Sequence, residues 1–347
     1  MTTPHQTAVV GGGIVGASIA WRLAQQGKRV VLFDKGPIGA EASWAGAGML
    51  APGGEVEKSS SFSDLCIEGR RLYPDFIAQL TAESGESIDY QECGALDLAY
   101  SESEWADLKR RAAVQAKLGI LGRELSTARV RAFSPYVQMD ALIGALFFAE
   151  DATVDPRDVM RALKIACGNR GVELRENTPV EQIAVQDAEV IVNGTAFSNA
   201  VLAAGAWSGD IAVSGVPALP SSEPVKGHLL GFDLQLGACP TILRRQHTYF
   251  LQRRSGLLIT GSSLERVGYN SAVDSQIVRK LHDEAAELLP VLEKVQPVDA
   301  WIGFRPYSES LHLGPWHGSR LHLAYGHFRN GILLAPVTAN KIAQALA

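Results

Sequence analysis

A glycine-spaced turn within the first sixteen residues constrains this chain more than any other feature. Thr7-Ala8-Val9-Val10 reads as a short buried strand, and Gly11-Gly12-Gly13-Ile14-Val15-Gly16 follows it directly. Residues 17–26 are strong helix formers, with Ile19, Ala20, Leu23 and Ala24 recurring on one helical face. Gly27 takes the position just past that helix, where a left-handed backbone closes it. Arg29-Val30-Val31-Leu32-Phe33 is a second strand, and Asp34 stands at its end, eighteen residues after Gly16. Elements joined this tightly make a βαβ unit, which requires a parallel sheet. Gly11-x-Gly13-x-x-Gly16 alone would be weak, but here the strand, the helix and the acidic residue are all in place for dinucleotide binding. Gly11 permits the tight turn, Gly13 lets backbone approach a pyrophosphate, and Gly16 lets helix and strand pack closely. Free N–H groups and the positive helix end attract the diphosphate. Asp34 is expected to accept hydrogen bonds from the ribose hydroxyls, and its charge disfavours a 2′-phosphate.

The 347 residues exceed what one core usually supports, so two domains are expected. A net charge of −5 argues against a nucleic-acid partner, whose phosphates demand a basic face. Cys66, Cys93, Cys167 and Cys239 are widely spaced, with no CxxC pair and no histidine at ligand spacing, so neither a metal site nor a disulfide framework is expected. Only Met1 to Gln6 precede the first apolar strand, and other apolar runs are too short to span a bilayer. A soluble, cytoplasmic protein without membrane contact is expected, as a homo-oligomer.

Beyond Asp34, residues 41–54 shift to Ala, Gly and Ser. Helical patterns follow over 62–84 and 102–118, the second with a solvated, charged face. A second βαβ-like segment opens near Leu146. Asp155-Pro156 starts a helix running to about Asn169, with Asp as N-cap and Pro at the first helical position. Residues 183–197 read as a hairpin turning at Asn193-Gly194, and 200–205 as a buried strand ending in Gly205. Between 217 and 301 the strands alternate in antiparallel fashion, with an amphipathic helix over 274–289. The last segment, 322–347, is strand, glycine-rich loop and helix again. The fold class is therefore α/β: a Rossmann-type parallel-sheet domain from residues 1–85, 145–215 and 320–347, with an α+β substrate domain on an antiparallel sheet from 86–144 and 216–319.

The fingerprint does not distinguish FAD from NAD, but two other segments do. Ala42-Ser43-Trp44-Ala45-Gly46-Ala47-Gly48-Met49 offers small side chains, so main chain can lie against a large flat ligand. Near the C-terminus, Gly326-His327-Phe328-Arg329-Asn330-Gly331 precedes a helix. A helix N-terminus aimed at a flavin pyrimidine stabilises the negative charge gained on reduction. A nicotinamide carrier needs no second helix dipole, so FAD is expected.

These segments, together with Pro224-Val225-Lys226-Gly227 and Trp301-Ile302-Gly303-Phe304-Arg305-Pro306, resemble the D-amino acid oxidase superfamily over essentially the whole chain. Within it the resemblance is to the glycine oxidases of bacterial thiamine biosynthesis. It implies oxidation of glycine, sarcosine or a small D-amino acid to the imine, hydrolysis to glyoxylate and ammonia, and reduction of oxygen to hydrogen peroxide. Carried onto matching positions, it implies that Arg305 pairs with the substrate carboxylate, Tyr249 hydrogen-bonds to it, and Arg329 borders substrate and flavin. It further implies FAD contacts from Ile14, Val15, Asp34, Lys35, Ala42, Ser43, Ala47, Gly48, Met49 and Val180, with Gly205 at a strand end and His327, Phe328, Arg329, Asn330, Gly331, Ile332 and Leu333 around the ring. Two departures bear on the substrate. Arg305-Pro306 runs into Tyr307-Ser308-Glu309 where an Asp-Gly turn is usual, and Leu264 stands where a Met is common.

An arginine grips a carboxylate with two parallel N–H bonds, which suits the orientation that hydride transfer demands. On residues alone, Arg305 also fits an interdomain ion pair and Tyr249 a core tyrosine. Lone His228, His247 and His327 favour structural roles, and Trp44, Trp207 and Trp301 either wall the flavin or simply pack. A flavin dehydrogenase acting on a D-amino acid or 2-hydroxy acid with another electron acceptor is the alternative activity. A non-catalytic nucleotide-binding protein is the third reading.

Overall fold

The computed structural model describes residues 6–347. Its first sheet has six strands in the order His312–Pro315, Leu321–Tyr325, Asn199–Leu202, Gln6–Val10, Arg29–Phe33 and Glu173–Arg175. All neighbours pair parallel except the His312–Pro315 edge, which is antiparallel. The sheet is apolar on both faces because strand side chains alternate. Val9, Val30, Leu32 and Val201 point to one core, and Ala8, Val10, Val31, Phe33, Ala200 and Leu202 to another. Helices Ile14–Gln25, Ser61–Ser84, Pro156–Asn169 and Gly331–Ala345 cover the first face. A four-stranded sheet built on residues 182–214 covers the second.

The expected turn at Asn193-Gly194 joins Val190–Val192 to Thr195–Phe197, and both turn residues take positive φ, 46° and 79°. Asp155 accepts from the Arg157 N–H and caps the helix that begins at Pro156.

The second large sheet has eight strands, ordered Asp299–Tyr307, Glu223–Asp233, Leu257–Gly261, Thr248–Gln252, Ile242–Arg245, Ala95–Ala99, Gly144–Phe148 and Gly122–Leu125. Its pairings are antiparallel but for Ile242–Arg245 with Ala95–Ala99. The amphipathic helix Ser275–Leu288 packs on one face through Leu281, Ala285 and Leu288. The strand near Leu146, expected to open a second βαβ segment, belongs here instead. It pairs with Ala95–Ala99 and Gly122–Leu125, and an apolar strand does not itself declare which sheet it joins. A short three-stranded sheet of Met49–Leu50, Ala152–Val154 and Tyr90–Gln91 lies between the two large ones in sequence. No helix among the described residues is long and apolar enough to cross a membrane.

Candidate active site

The parallel sheet splits at Gln6–Val10, whose neighbours are Arg29–Phe33 on one side and Asn199–Leu202 on the other. Crevices form at the C-terminal ends of strands where the strand order reverses in this way, and the glycine turn sits there. Gly11 has φ +107°, and a Cβ on it would lie 2.3 Å from the Ala203 carbonyl oxygen. A Cβ on Gly16 would lie 1.8 Å from the Gly11 oxygen. Both glycines are therefore required by backbone packing. Gly13 is the N-cap of helix Ile14–Gln25 and has no side-chain cap, and no acidic residue stands in the first turn. Asp34 is held in place by two backbone donors, Gly12 N–H at 2.7 Å and Gly36 N–H at 2.9 Å. Burial pushes its pKa up, against the pull of those two hydrogen bonds.

A cavity of about 350 Å³ opens over this turn. Gly11, Gly13, Ile14, Val15, Asp34, Lys35, Ala42 and Ser43 line it from the N-terminal end, Val180 and Gly205 from the middle of the chain, and His327, Phe328, Arg329, Gly331 and Ile332 from the C-terminal end. The two glycine-containing turns near opposite ends of the chain thus face one space. Ser43 Oγ accepts the Ile14 N–H at 2.8 Å and fixes the small-residue run against the first helix. Gly48 shows why that run is small, since its φ is +86° and a Cβ there would come within 1.9 Å of the Val154 carbonyl oxygen. The helix Gly331–Ala345 also presents an uncapped N-terminus with no acidic residue in its first turn. His327, at that end, is buried, and its Nε2 lies 3.0 Å from Thr338 Oγ1. Burial pulls its pKa down to about 4.

A second cavity, of about 580 Å³, adjoins the first and shares Ala42, Phe328, Arg329 and Ile332 with it. Ala47, Gly48, Met49 and Asn330 line this one, together with Tyr249, Arg305 and Arg329. Two of the sequence-predicted residues reach neither space. Gly16 packs against Gly11, and Leu333 is buried with its carbonyl facing Gly69.

Arg305 projects from the edge strand Asp299–Tyr307 on the same side as Trp301 and Gly303. Its Nη1 donates to Ser263 O at 3.0 Å and its Nη2 to Ser262 Oγ at 2.6 Å. Among the described residues no carboxylate lies within ion-pair distance of it. The guanidinium lies across Gly227, where a Cβ would come to 2.2 Å of Nη2. Burial lowers the Arg305 pKa, Tyr249 raises it, Arg329 lowers it and Glu265 raises it. Tyr249 is likewise raised by burial, opposed by Arg305 and by a hydrogen bond with Ser262. A half-buried cation and a phenol thus face a cavity in which Glu265 acts on the cation only from beyond ion-pair distance. Arg329 differs: its Nε donates to Glu55 Oε2 at 2.8 Å, and Asn330 Nδ2 donates to the same oxygen at 3.1 Å.

Of the three tryptophans, Trp207 alone lines either cavity, with Lys35 Nζ 3.4 Å from its ring centroid. Trp301 donates Nε1–H to Ala45 O, and Trp44 stacks on the Arg157 guanidinium. Sequence reasoning passed over Glu55, Ser262, Ser263 and Glu265 as site residues. None sits in a spaced motif that would have singled it out.

The donor set suits a dinucleotide: a backbone cradle that a Cβ would fill, an uncapped helix N-terminus, and an oriented carboxylate at the end of the second strand. The FAD dependent oxidoreductase family (DAO) matches residues 6–345. The chain belongs to that family. It is 31% identical to a glycine oxidase of Bacillus licheniformis, covering 100% of this chain and 94% of that one. A bifunctional ThiO/ThiG protein of Trichormus variabilis is 32% identical over 96% of this chain, which spans 51% of that larger protein. Among solved structures, a glycine oxidase from Geobacillus kaustophilus superposes with a TM-score of 0.92 at 31% identity, covering 99% of this chain and 95% of that one. An L-α-glycerophosphate oxidase from Mycoplasma pneumoniae, solved with FAD bound, shares the fold at 18% identity and a TM-score of 0.83. The protein is an FAD-dependent oxidoreductase of the amine-oxidising kind, with the expected pairing of a parallel-sheet unit and an antiparallel one.

Proposed function

We propose that the protein oxidises glycine, or a similarly small primary or secondary amine bearing a carboxylate, and that it acts in thiamine biosynthesis. The substrate C–N single bond becomes an imine with loss of two electrons and two protons. Water then hydrolyses the glycine imine to glyoxylate and ammonia, and oxygen takes the electrons and protons as hydrogen peroxide. FAD, when bound, supplies the two-electron acceptor, and residues lining the first cavity, among them Gly11, Gly13, Ile14, Val15, His327 and Gly331, would hold it.

The chain's own residues bind and orient the substrate. Arg305 takes the carboxylate with the donors that its serine partners leave unused, because a guanidinium carries five N–H groups. The Tyr249 hydroxyl, kept protonated by burial, donates to the same carboxylate. Arg329, neutralised by Glu55, closes the boundary between the two cavities without competing for the anion. The observation that carries this reading is a half-buried arginine with no carboxylate within ion-pair distance, facing a cavity that adjoins the dinucleotide cleft.

Replacing Arg305 by Ala removes one half of a buried ion pair in the substrate complex, a loss of about 2–5 kcal/mol. At 25 °C that corresponds to kcat/KM falling by roughly 30-fold to several thousandfold, with flavin content unchanged. Peroxide release is to be followed with glycine, sarcosine, D-alanine and D-proline. Unchanged turnover of Arg305→Ala at low substrate contradicts the assignment, and peroxide from none of the four substrates contradicts the oxidase reading.

A further inference from the structure

Arg305 is held by neutral acceptors from one short segment, so its direction depends on what holds that segment. Ser262 and Ser263 follow the strand Leu257–Gly261 and run beside residues 226–228 of the neighbouring strand. Glu265 closes this pairing through two backbone bonds with Lys226, at 2.9 and 3.0 Å. Side chains on Glu223–Asp233 alternate. Gly227 lies under the Arg305 guanidinium, whereas His228 turns toward the serine segment and is fully buried.

The hydrogen bonds around His228 assign its tautomer. Its Nε2 accepts the Asp274 N–H at 2.9 Å, so Nδ1 carries the proton and donates to Glu265 Oε1 at 2.9 Å. Ser263 Oγ–H donates to that same carboxylate oxygen at 2.6 Å, and the backbone N–H of His228 donates to Ser263 Oγ at 2.9 Å. Ser263 is thereby fixed through its side chain while its carbonyl receives Arg305 Nη1. In the other direction, Asp274 caps the helix Ser275–Leu288. The histidine stands between that helix start and the segment that holds the arginine.

We infer that His228 and Glu265 are positioning residues for Arg305, acting through Ser263 to aim the guanidinium at the substrate carboxylate. The inference rests on the carboxylate clamp proposed above. A partner of this kind fixes the orientation of the group it touches, as carboxylates hydrogen-bonded to metal-ligating histidines do. Truncating it loosens the clamp without removing the positive charge. The expected signature is weaker binding of the carboxylate with the chemical step nearly intact.

The test uses flavin-loaded full-length protein and two readouts: the dissociation constant of glycolate, a carboxylate without an amine, from its perturbation of the flavin spectrum, and the separation of KM from kcat with glycine. His228→Leu breaks both side-chain bonds and weakens glycolate binding by on the order of tenfold. Asn places an amide N–H where Nδ1 lies and keeps the Glu265 arm, so His228→Asn binds glycolate within about threefold of wild type. Gln reaches the Nε2 position and keeps only the Asp274 arm, so His228→Gln behaves like His228→Leu. In the weakened variants KM for glycine rises while kcat stays within about threefold.

Glycolate affinity unchanged in all three, or restored by Gln and not by Asn, overturns the inference, because the histidine then only anchors the helix start. If His228→Leu does not fold, the Asn and Gln pair decides alone. Arg305→Ala measured alongside separates the two levels. Loss of glycolate binding in Arg305→Ala with normal binding in His228→Gln discards the positioning role and keeps the clamp. Normal binding in Arg305→Ala discards both.

Discussion

Single residues at this site are constrained first by backbone geometry. Gly11 and Gly27 both have positive φ, +107° and +78°, yet their surroundings differ. A Cβ at Gly11 meets the Ala203 carbonyl, whereas nothing lies within 4 Å of one at Gly27. Gly27→Ala therefore costs only the left-handed penalty, about 1 kcal/mol, and leaves the cofactor alone. Gly11→Ala must move backbone in the turn itself and weaken FAD binding by on the order of tenfold or more, since strained turns cost about 1–3 kcal/mol. Flavin-to-protein absorbance ratios after dialysis, with melting temperatures, distinguish the two variants, and equal flavin retention contradicts a cradle at Gly11. This part of the site was legible in the sequence because the glycines, Asp34 and the strand ends follow one another at fixed spacing. His228, Ser263 and Glu265 were not. They meet only because two strands pair and a loop folds back, and single polar residues 35 and 37 positions apart carry no periodic signal.

At the scale of elements, the near-continuous apolar runs along Gln6–Val10 and Arg29–Phe33 announced buried strands, and capping residues announced helix Pro156–Asn169. Sheet membership was less legible. Gly144–Phe148 reads as a buried strand, but only tertiary pairing assigns it to the eight-stranded sheet. The C-terminal helix bears a pH-dependent cost. His327 is buried and neutral, with its pKa pulled from 6.5 to about 4. Between those values the unfolded chain binds a proton that the folded chain does not, so stability rises with pH across that window. Conversely, stability is lost as pH falls through 6.5 and levels off below about 4. His327→Gln, which keeps a polar partner for Thr338 without titrating, is expected to flatten this dependence. Melting temperatures from pH 7 down to 4 check it, and parallel profiles for wild type and variant contradict it.

At the scale of the molecule, the small-residue run at 42–49 has to serve both cavities while being too poor in side chains to hold itself. Its outer fastening comes from the eight-stranded sheet. Trp301 Nε1 donates to Ala45 O at 2.9 Å, and Arg253, 3% exposed at its side chain, donates to Ala47 O and to Val154 O at 2.8 Å. Arg253 thus ties the sheet that carries Arg305 to the wall beneath the cofactor, with Asp155 3.7 Å away as its counter-charge. Burial lowers the Arg253 pKa, and Asp155 opposes that shift. Arg253→Met fills much of the volume but strands two buried carbonyls, a loss of about 1–3 kcal/mol for each unsatisfied group. The variant is expected to melt several degrees lower and to hold FAD less tightly, because the wall is no longer fixed before the cofactor arrives. FAD at 100 times its dissociation constant adds about 2.7 kcal/mol of stability to whatever state binds it. Saturating FAD therefore restores much of the lost melting temperature, but at higher FAD concentrations than wild type requires. A variant with a lowered melting temperature and wild-type FAD affinity would show that Arg253 supports the fold alone. A shift in both links the antiparallel sheet to the cofactor cleft through this one side chain.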